Sequence, residues 1–330
     1  MFERFRLSIE VRSLMVLPPY KGAVFRGAFG NAFRRVVCAV PRVDCAVCML
    51  RQRCLYVSIF EPPPPASYPD AAKFSQAPPP YVLNPPLTNR QAFHPGDSLD
   101  FELVLIGPAI EALPYFIYTF TEMGKRGLGR ERGRYALACV DLVRGEESIR
   151  VYDGAAQMLT AYPLNDYTQH QPEENGVSDI TLHFLTPLRL KVKGDLVTQL
   201  TFPVLFERLA QRLILLTAFY GSGAASEGKR RVWPDSPGCG GPPPAALPDF
   251  SPLLTLAQSI VVTNDELHWY DWERYSARQK ETMKYGGLRG NMTISGNVAP
   301  LLPCLRLGEV VNVGQATTFG LGRFKMEVIP

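Results

Sequence analysis

The chain of 330 residues has no stretch of eighteen that is free of Asp, Glu, Lys and Arg, so no segment reads as a membrane-spanning helix. Its N-terminus, MFERFRLSIE, carries charge where a secretion signal needs an apolar core, which makes a cytoplasmic location the expectation. Histidine is scarce, with only His94, His170, His183 and His268. No HExxH, Ser/His/Asp arrangement or paired-carboxylate motif stands in the sequence, so protease and hydrolase classes have no local support. A strong charge imbalance is missing too. The 35 basic and 31 acidic side chains leave +4, and a polyanionic partner must be argued from where the cations cluster.

What is present is the composition of a folded protein, 46% hydrophobic and 20% charged, with length for two domains. Proline gathers in a strap over 61–98 and in a segment over 222–248, which reads as a long mobile loop. Between these stretches one order of elements occurs twice. FRLSIEVRS alternates as a strand, and Lys21–Val37 follows as a helix with Phe25, Phe29 and Phe33 on one side. LDFELVLIG, a helix over 112–123, the loop Gly124–Gly133 and RYALACVDLV complete the first half. In the second, DITLHFLTPLRLKV, a helix over 203–220, the strands HWYDWERYSAR and NMTISGNV, a short helix over 301–307 and a closing hairpin repeat the pattern. The expectation is an α+β chain of tandem ferredoxin-like (RRM-like) β-α-β-β-α-β domains, 1–150 and 151–330, with a cysteine-rich insertion in the first. Two unrelated α+β domains are the alternative.

Four features carry chemistry. In VGQATTFGLGRF, residues Gly314, Gly320 and Gly322 surround Thr317, Thr318 and Arg323, a composition suited to cradling phosphate. A strand follows rather than a helix, and no Gly-Lys-Ser/Thr is present, so this 314–323 loop is no nucleotide-triphosphate site; an unliganded turn is the plain alternative. Its counterpart in the first half bears Lys125, Arg126, Arg130 and Arg132, and two such loops suit a groove that tracks a nucleic-acid backbone. In the first helix Arg26, Gly27, Gly30, Asn31, Arg34 and Arg35 lie opposite the apolar stripe, where RNA backbone or a second helix would approach closely. Cys38, Cys45, Cys48 and Cys54 have the spacing of a tetrahedral thiolate site, for structural zinc or an iron-sulfur cluster; buried reduced thiols are the alternative. His183, in an apolar strand, reads as a core residue, and His94, in FHPGDSL, as an exposed loop residue.

With PPYKGAVFRGAFGNAFRRVVC, EMGKRGLGRERGRY and VGQATTFGLGRF in place, the sequence resembles the CRISPR-associated endoribonucleases of the RAMP superfamily that cut precursor CRISPR RNA within its repeats. The resemblance runs nearly end to end. It implies binding of CRISPR repeat RNA, contact of the glycine-rich loop with that RNA, and cleavage that needs no catalytic cofactor, the ribose 2′-hydroxyl attacking the adjacent phosphate. Such chemistry requires a base, an acid and cations.

One departure stands out. Relatives often place a catalytic histidine in or near the first helix, and here Asn31 stands there with no histidine before His94. Tyr20, Lys21 and His94 are the substitutes the sequence offers. The alternative is a non-catalytic subunit of a CRISPR effector complex that grips the 3′ hairpin of the processed RNA; a subunit coating the guide implies a single ferredoxin-like domain.

Overall fold

A computed structural model describes residues 2–64, 76–162, 177–221, 248–276 and 281–329. Two compact units divide them, one holding 2–162 and 215–221 and the other 177–214 and 248–329.

The first unit runs β1 (Phe2–Val11), β2 (Met15–Val16), α1 (Gly22–Val37), α2 (Leu55–Phe60), β3 (Tyr81–Asn84), β4 (Ala92–Phe93), β5 (Ser98–Ile106), α3 (Leu113–Arg126), β6 (Tyr135–Arg144), β7 (Glu147–Asp153) and β8 (Met158–Leu159). Its main sheet is antiparallel in the order β3-β5-β1-β6-β7-β8. Strand β1 alternates strictly, with Phe5, Leu7, Ile9 and Val11 buried, as a strand with one covered face must. The cover is aromatic. Phe25, Phe29 and Phe33 recur every fourth residue of α1, and Phe116 and Phe120 do so on α3, so each set forms one stripe. Phe29 is the hub, with ring centroids 4.9–5.9 Å from Phe33, Phe60, Tyr81, Phe116 and Phe120.

The second unit runs β9 (Asp179–Leu188), β10 (Lys191–Val192), β11 (Asp195–Leu196), α4 (Phe202–Tyr220), α5 (Ser251–Ala257), β12 (Val261–Asp265), β13 (His268–Ser276), β14 (Glu281–Ser295), α6 (Leu302–Val311) and β15 (Phe324–Ile329), the last turns of α4 falling in the first unit. Its sheet order is β12-β14-β9-β15, with β13 paired to β14. Ranking the strands of each β-α-β-β-α-β unit by sequence, both sheets read second, third, first, fourth. On these four strands the tandem ferredoxin-like expectation is met, but the strand expected at HWYDWERYSAR is β13, which lies outside that order, and the unit's second strand is β12, which the sequence pattern did not mark.

Several expectations change. YVLN, placed in the proline strap, is the buried edge strand β3, stopped by prolines on both sides because proline cannot continue a ladder. The expected closing hairpin is a helix, a loop and a strand. Val310 and Val311 finish α6, and Asn312 then turns the chain at φ +57°. Gly124 to Arg126 end α3 rather than open a loop. The first sheet continues beyond residue 150 through β7 and β8. Residues 65–75 of the strap, His170 and residues 222–247 lie outside the described residues.

Candidate nucleic-acid interface

Helix α1 divides the residues that its sequence groups together. Gly30 is buried, a Cβ there meeting the Phe60 ring at 3.1 Å. The Arg26 guanidinium lies 4.4 Å over the same ring. Arg34 reaches the Val43 carbonyl at 3.4 Å and stands over Tyr56. These residues face the protein. Gly27, Asn31 and Arg35 are exposed, and a Cβ at Gly27 would meet nothing within 4 Å. At 100° per residue Val24, Gly27, Ala28, Asn31 and Arg35 form one open face.

Lys21 precedes that helix and is closed to solvent. Its Nζ donates to the carbonyls of Thr88 (2.6 Å) and Pro19 (3.1 Å), and burial lowers its pKa to about 8. Tyr20 is half-buried beside it. His94 is exposed on a turn, its backbone N–H donating to Asp97 Oδ2 at 2.6 Å; Asp97 also pairs with Arg90.

The four clustered cysteines are partly buried free thiols. Burial pushes the Cys45 thiol up against the opposing pull of Arg34. Among the described residues no group of three or more His, Cys, Asp or Glu is placed to hold a metal ion. The structure therefore gives no support to the expected zinc or iron-sulfur site at Cys38, Cys45, Cys48 and Cys54, while Cys45 stands near enough to Cys38 and Cys54 for their charges to act on it.

Gly-Leu-Gly-Arg occurs twice, at 127–130 and 320–323, each time between the second helix and fourth strand of its unit. The backbones agree. Gly127 and Gly129 have φ +84° and +73°, Gly320 and Gly322 +76° and +67°, and the leucines Leu128 and Leu321 are buried. In the first loop Leu128 and Gly133 exchange backbone hydrogen bonds at 2.8 Å, and Lys125, Arg126, Arg130 and Arg132 are exposed around it. Lys125 pairs with Glu122. In the second, Gly322 donates to Pro187 and accepts from Val313, each at 3.0 Å, and a Cβ on Gly322 would stand 1.7 Å from the Val313 carbonyl oxygen. Gly320 N–H donates to Thr317 and Gln315 N–H to Arg189, both at 2.9 Å. Thr186 Oγ1 donates to the Gly320 carbonyl at 2.6 Å and accepts from Arg323 N–H at 2.9 Å. The glycines thus seat the loop on the end of β9, and the N–H groups of Gly320 and Gly322 are engaged inside the protein. Thr317 and Thr318 are buried, while Gly314 and Arg323 are partly exposed.

Residues 182–324 match the family model of the CRISPR-associated endoribonuclease Cas6. Over these residues the chain is similar to the Cas6 family. Residues 1–164 match a second family model, an N-terminal domain. An uncharacterized protein of Archaeoglobus fulgidus is 25% identical over 320 residues, spanning 94% of this chain and 92% of its own. A Cas6 product complex is similar in fold at TM-score 0.53 and 16% identity, covering 99% of this chain and 100% of that one. Thermus thermophilus Cas6 follows at 0.50 and 14%, covering 99% and 98%. A chain of a Cas6-RT-Cas1–Cas2 complex gives 0.52 and 14%, and this chain spans 46% of its length.

Two sites escape sequence reading. His183 is not a core residue: it lies half-exposed on the second sheet, Nδ1 2.9 Å from Asn291 Oδ1 and Nε2 2.9 Å from Glu327 Oε2. The strand's alternation puts His183 between buried Leu182 and Phe184, which was the legible signal. The second is a cleft in the first unit, where Val24 and Ala28 of α1 face Gln91 and the 127–132 turn. No helix among the described residues is long and apolar enough to cross a membrane.

Proposed function

We propose that this protein binds CRISPR repeat RNA and cuts the precursor transcript within its repeats without a catalytic metal. The observation that carries the reading is the Cas6 family match over 182–324, on a unit whose strand order repeats that of the first. Exposed Lys125, Arg126, Arg130, Arg132 and Arg35, with partly exposed Arg323, supply the cations that a phosphate backbone requires.

In the cut, the ribose 2′-oxygen attacks the neighbouring phosphorus and the bond to the 5′-oxygen breaks, leaving a 2′,3′-cyclic phosphate and a 5′-hydroxyl. The 2′-hydroxyl proton goes to a base, and an acid returns one to the leaving oxygen. These transfers are assigned to His94, exposed, and Tyr20. Lys21, directed at two carbonyls, holds the backbone around them rather than moving a proton. The RNA product and the Cas1 and Cas2 proteins named with the similar structures are the partner classes assigned here.

One observation favours a second reading. Asn31 occupies the open face of α1 and the first histidine in the chain is His94, which suits a subunit that holds processed RNA without cutting it. A guide-coating subunit, expected to have one ferredoxin-like domain, is disfavoured by the second unit. Binding to a repeat RNA and to a scrambled RNA of equal length is the test. Tighter binding to the repeat at both low and moderate salt is expected, and equal affinity would contradict both remaining readings.

A further inference from the structure

The cleft in the first unit has a volume of about 560 Å³, within the range of roughly 300–1,000 Å³ for a single small-ligand site. Leu17, Val24, Ala28 and Leu128 are its apolar lining, Gln91 is its amide-bearing residue, and Arg130 and Arg132 add cations to an open cleft.

Its walls are fixed. Leu17 N–H donates to the Gln91 carbonyl at 2.9 Å, and Met15–Val16 pairs with Ala92–Phe93. Lys21 ties the two neighbouring segments through Pro19 and Thr88. The 127–133 turn is clamped to the same segment, since a Cβ on Gly129 would stand 2.2 Å from the Val16 carbonyl oxygen. A wall this constrained presents its surface without rearrangement.

Charge selects the occupant. Residues 124–134 hold five cations, Lys125, Arg126, Arg130, Arg132 and Arg134, against the one carboxylate of Glu131. Glycine within a helix costs about 1 kcal/mol relative to alanine, and at Gly27, beside Ala28, nothing in the protein fills the space a side chain would take. An apolar wall at Val24 and Ala28, one amide and two cations suit a nucleotide's apolar base face, hydrogen-bonding edge and phosphate.

We propose that this cleft receives one unstacked nucleotide of the bound RNA, its base against Val24 and Ala28, its edge on Gln91 and its phosphate on Arg130 and Arg132. The inference rests on the RNA-binding reading above. It adds to that reading a base-holding site in the first unit, built on the twin of the second unit's Gly-Leu-Gly-Arg turn.

The test uses the full chain and repeat RNAs carrying a single abasic nucleotide, scanned through the unpaired positions. Wild type is expected to lose about tenfold in affinity at one position. Ala28→Trp fills the cleft, and Gln91→Leu removes the amide from an exposed position. Each is expected to weaken binding of intact RNA with an unchanged salt slope, and to show no further loss when the critical base is absent. Ala28→Trp is checked for folding by thermal melting, with Gln91→Leu as the second variant where it melts early. If the wild type binds repeat RNA while both variants bind as tightly, or their losses add to the abasic loss, the cleft holds no base and the RNA reading stands. A wild type that does not bind repeat RNA overturns both.

Discussion

Lys21 shows how position redefines a residue that sequence alone offers as a catalyst. Its ammonium lies between the Pro19 and Thr88 carbonyls, and burial brings its pKa to about 8 against an ordinary 10.5. Below pH 8 folded and unfolded chains both hold the proton, and burial of the charge weighs on the fold. Between about 8 and 10.5 only the unfolded chain holds it, so this group's contribution to stability rises with pH across that window. Urea unfolding at pH 7.5 and pH 10 is expected to show that rise in wild type relative to Lys21→Met; the same pH dependence in both would contradict the assignment. Arg323 and Thr318 separate similarly. Arg323→Ala is expected to weaken RNA binding and flatten its salt dependence, whereas Thr318→Ala, at a buried site, is expected to act on stability. Binding isotherms at several salt concentrations, with melting curves, check both. The sequence carried the residue types of this loop but not their exposure, because the loop is seated by hydrogen bonds to Thr186, Pro187 and Arg189, more than a hundred residues away.

The elements were legible where the hydrophobic period was clean. The four-residue spacing of Phe25, Phe29 and Phe33 marks α1, and the alternation of FERFRLSIEV marks β1. Less was legible where tertiary contact overrides local pattern. The short helix α2 and the strand β3 sit among cysteines and prolines, and their burial against Phe29 is what makes them regular. Removal of that hub is expected to be severe: Phe29→Ala should cost about 3–5 kcal/mol by chemical denaturation, and a loss under 1 kcal/mol would contradict the packing described. The glycine-rich turn gives a second element-scale expectation. With the Val313 carbonyl 1.7 Å from an added Cβ and φ at +67°, Gly322→Ala is expected to displace the loop and lower repeat-RNA affinity. Unchanged affinity in a folded variant would remove the loop from the interface.

At the scale of the whole molecule, the repeated element order in the sequence became two sheets that share the order of four strands, and the repeated Gly-Leu-Gly-Arg became two turns of matching backbone. That repetition was readable because topology follows from element order and right-handed packing. The cleft of the first unit was not, since Val24, Gln91 and Arg130 come from three separate segments. The cysteine cluster is the other case, where close spacing suggested a metal centre and, among the described residues, no group of three or more ligands is placed for one. The chemistry proposed for this chain requires only the RNA's own 2′-hydroxyl and proton transfers by the protein, and that claim has a direct readout. Purified protein is incubated with 5′-labelled repeat RNA in EDTA and the 3′ end of any product is identified. A single cut ending in a 2′,3′-cyclic phosphate, lost or strongly slowed in His94→Ala, is the expected result; repeat RNA bound tightly and left intact would contradict the endonuclease and leave the binding subunit.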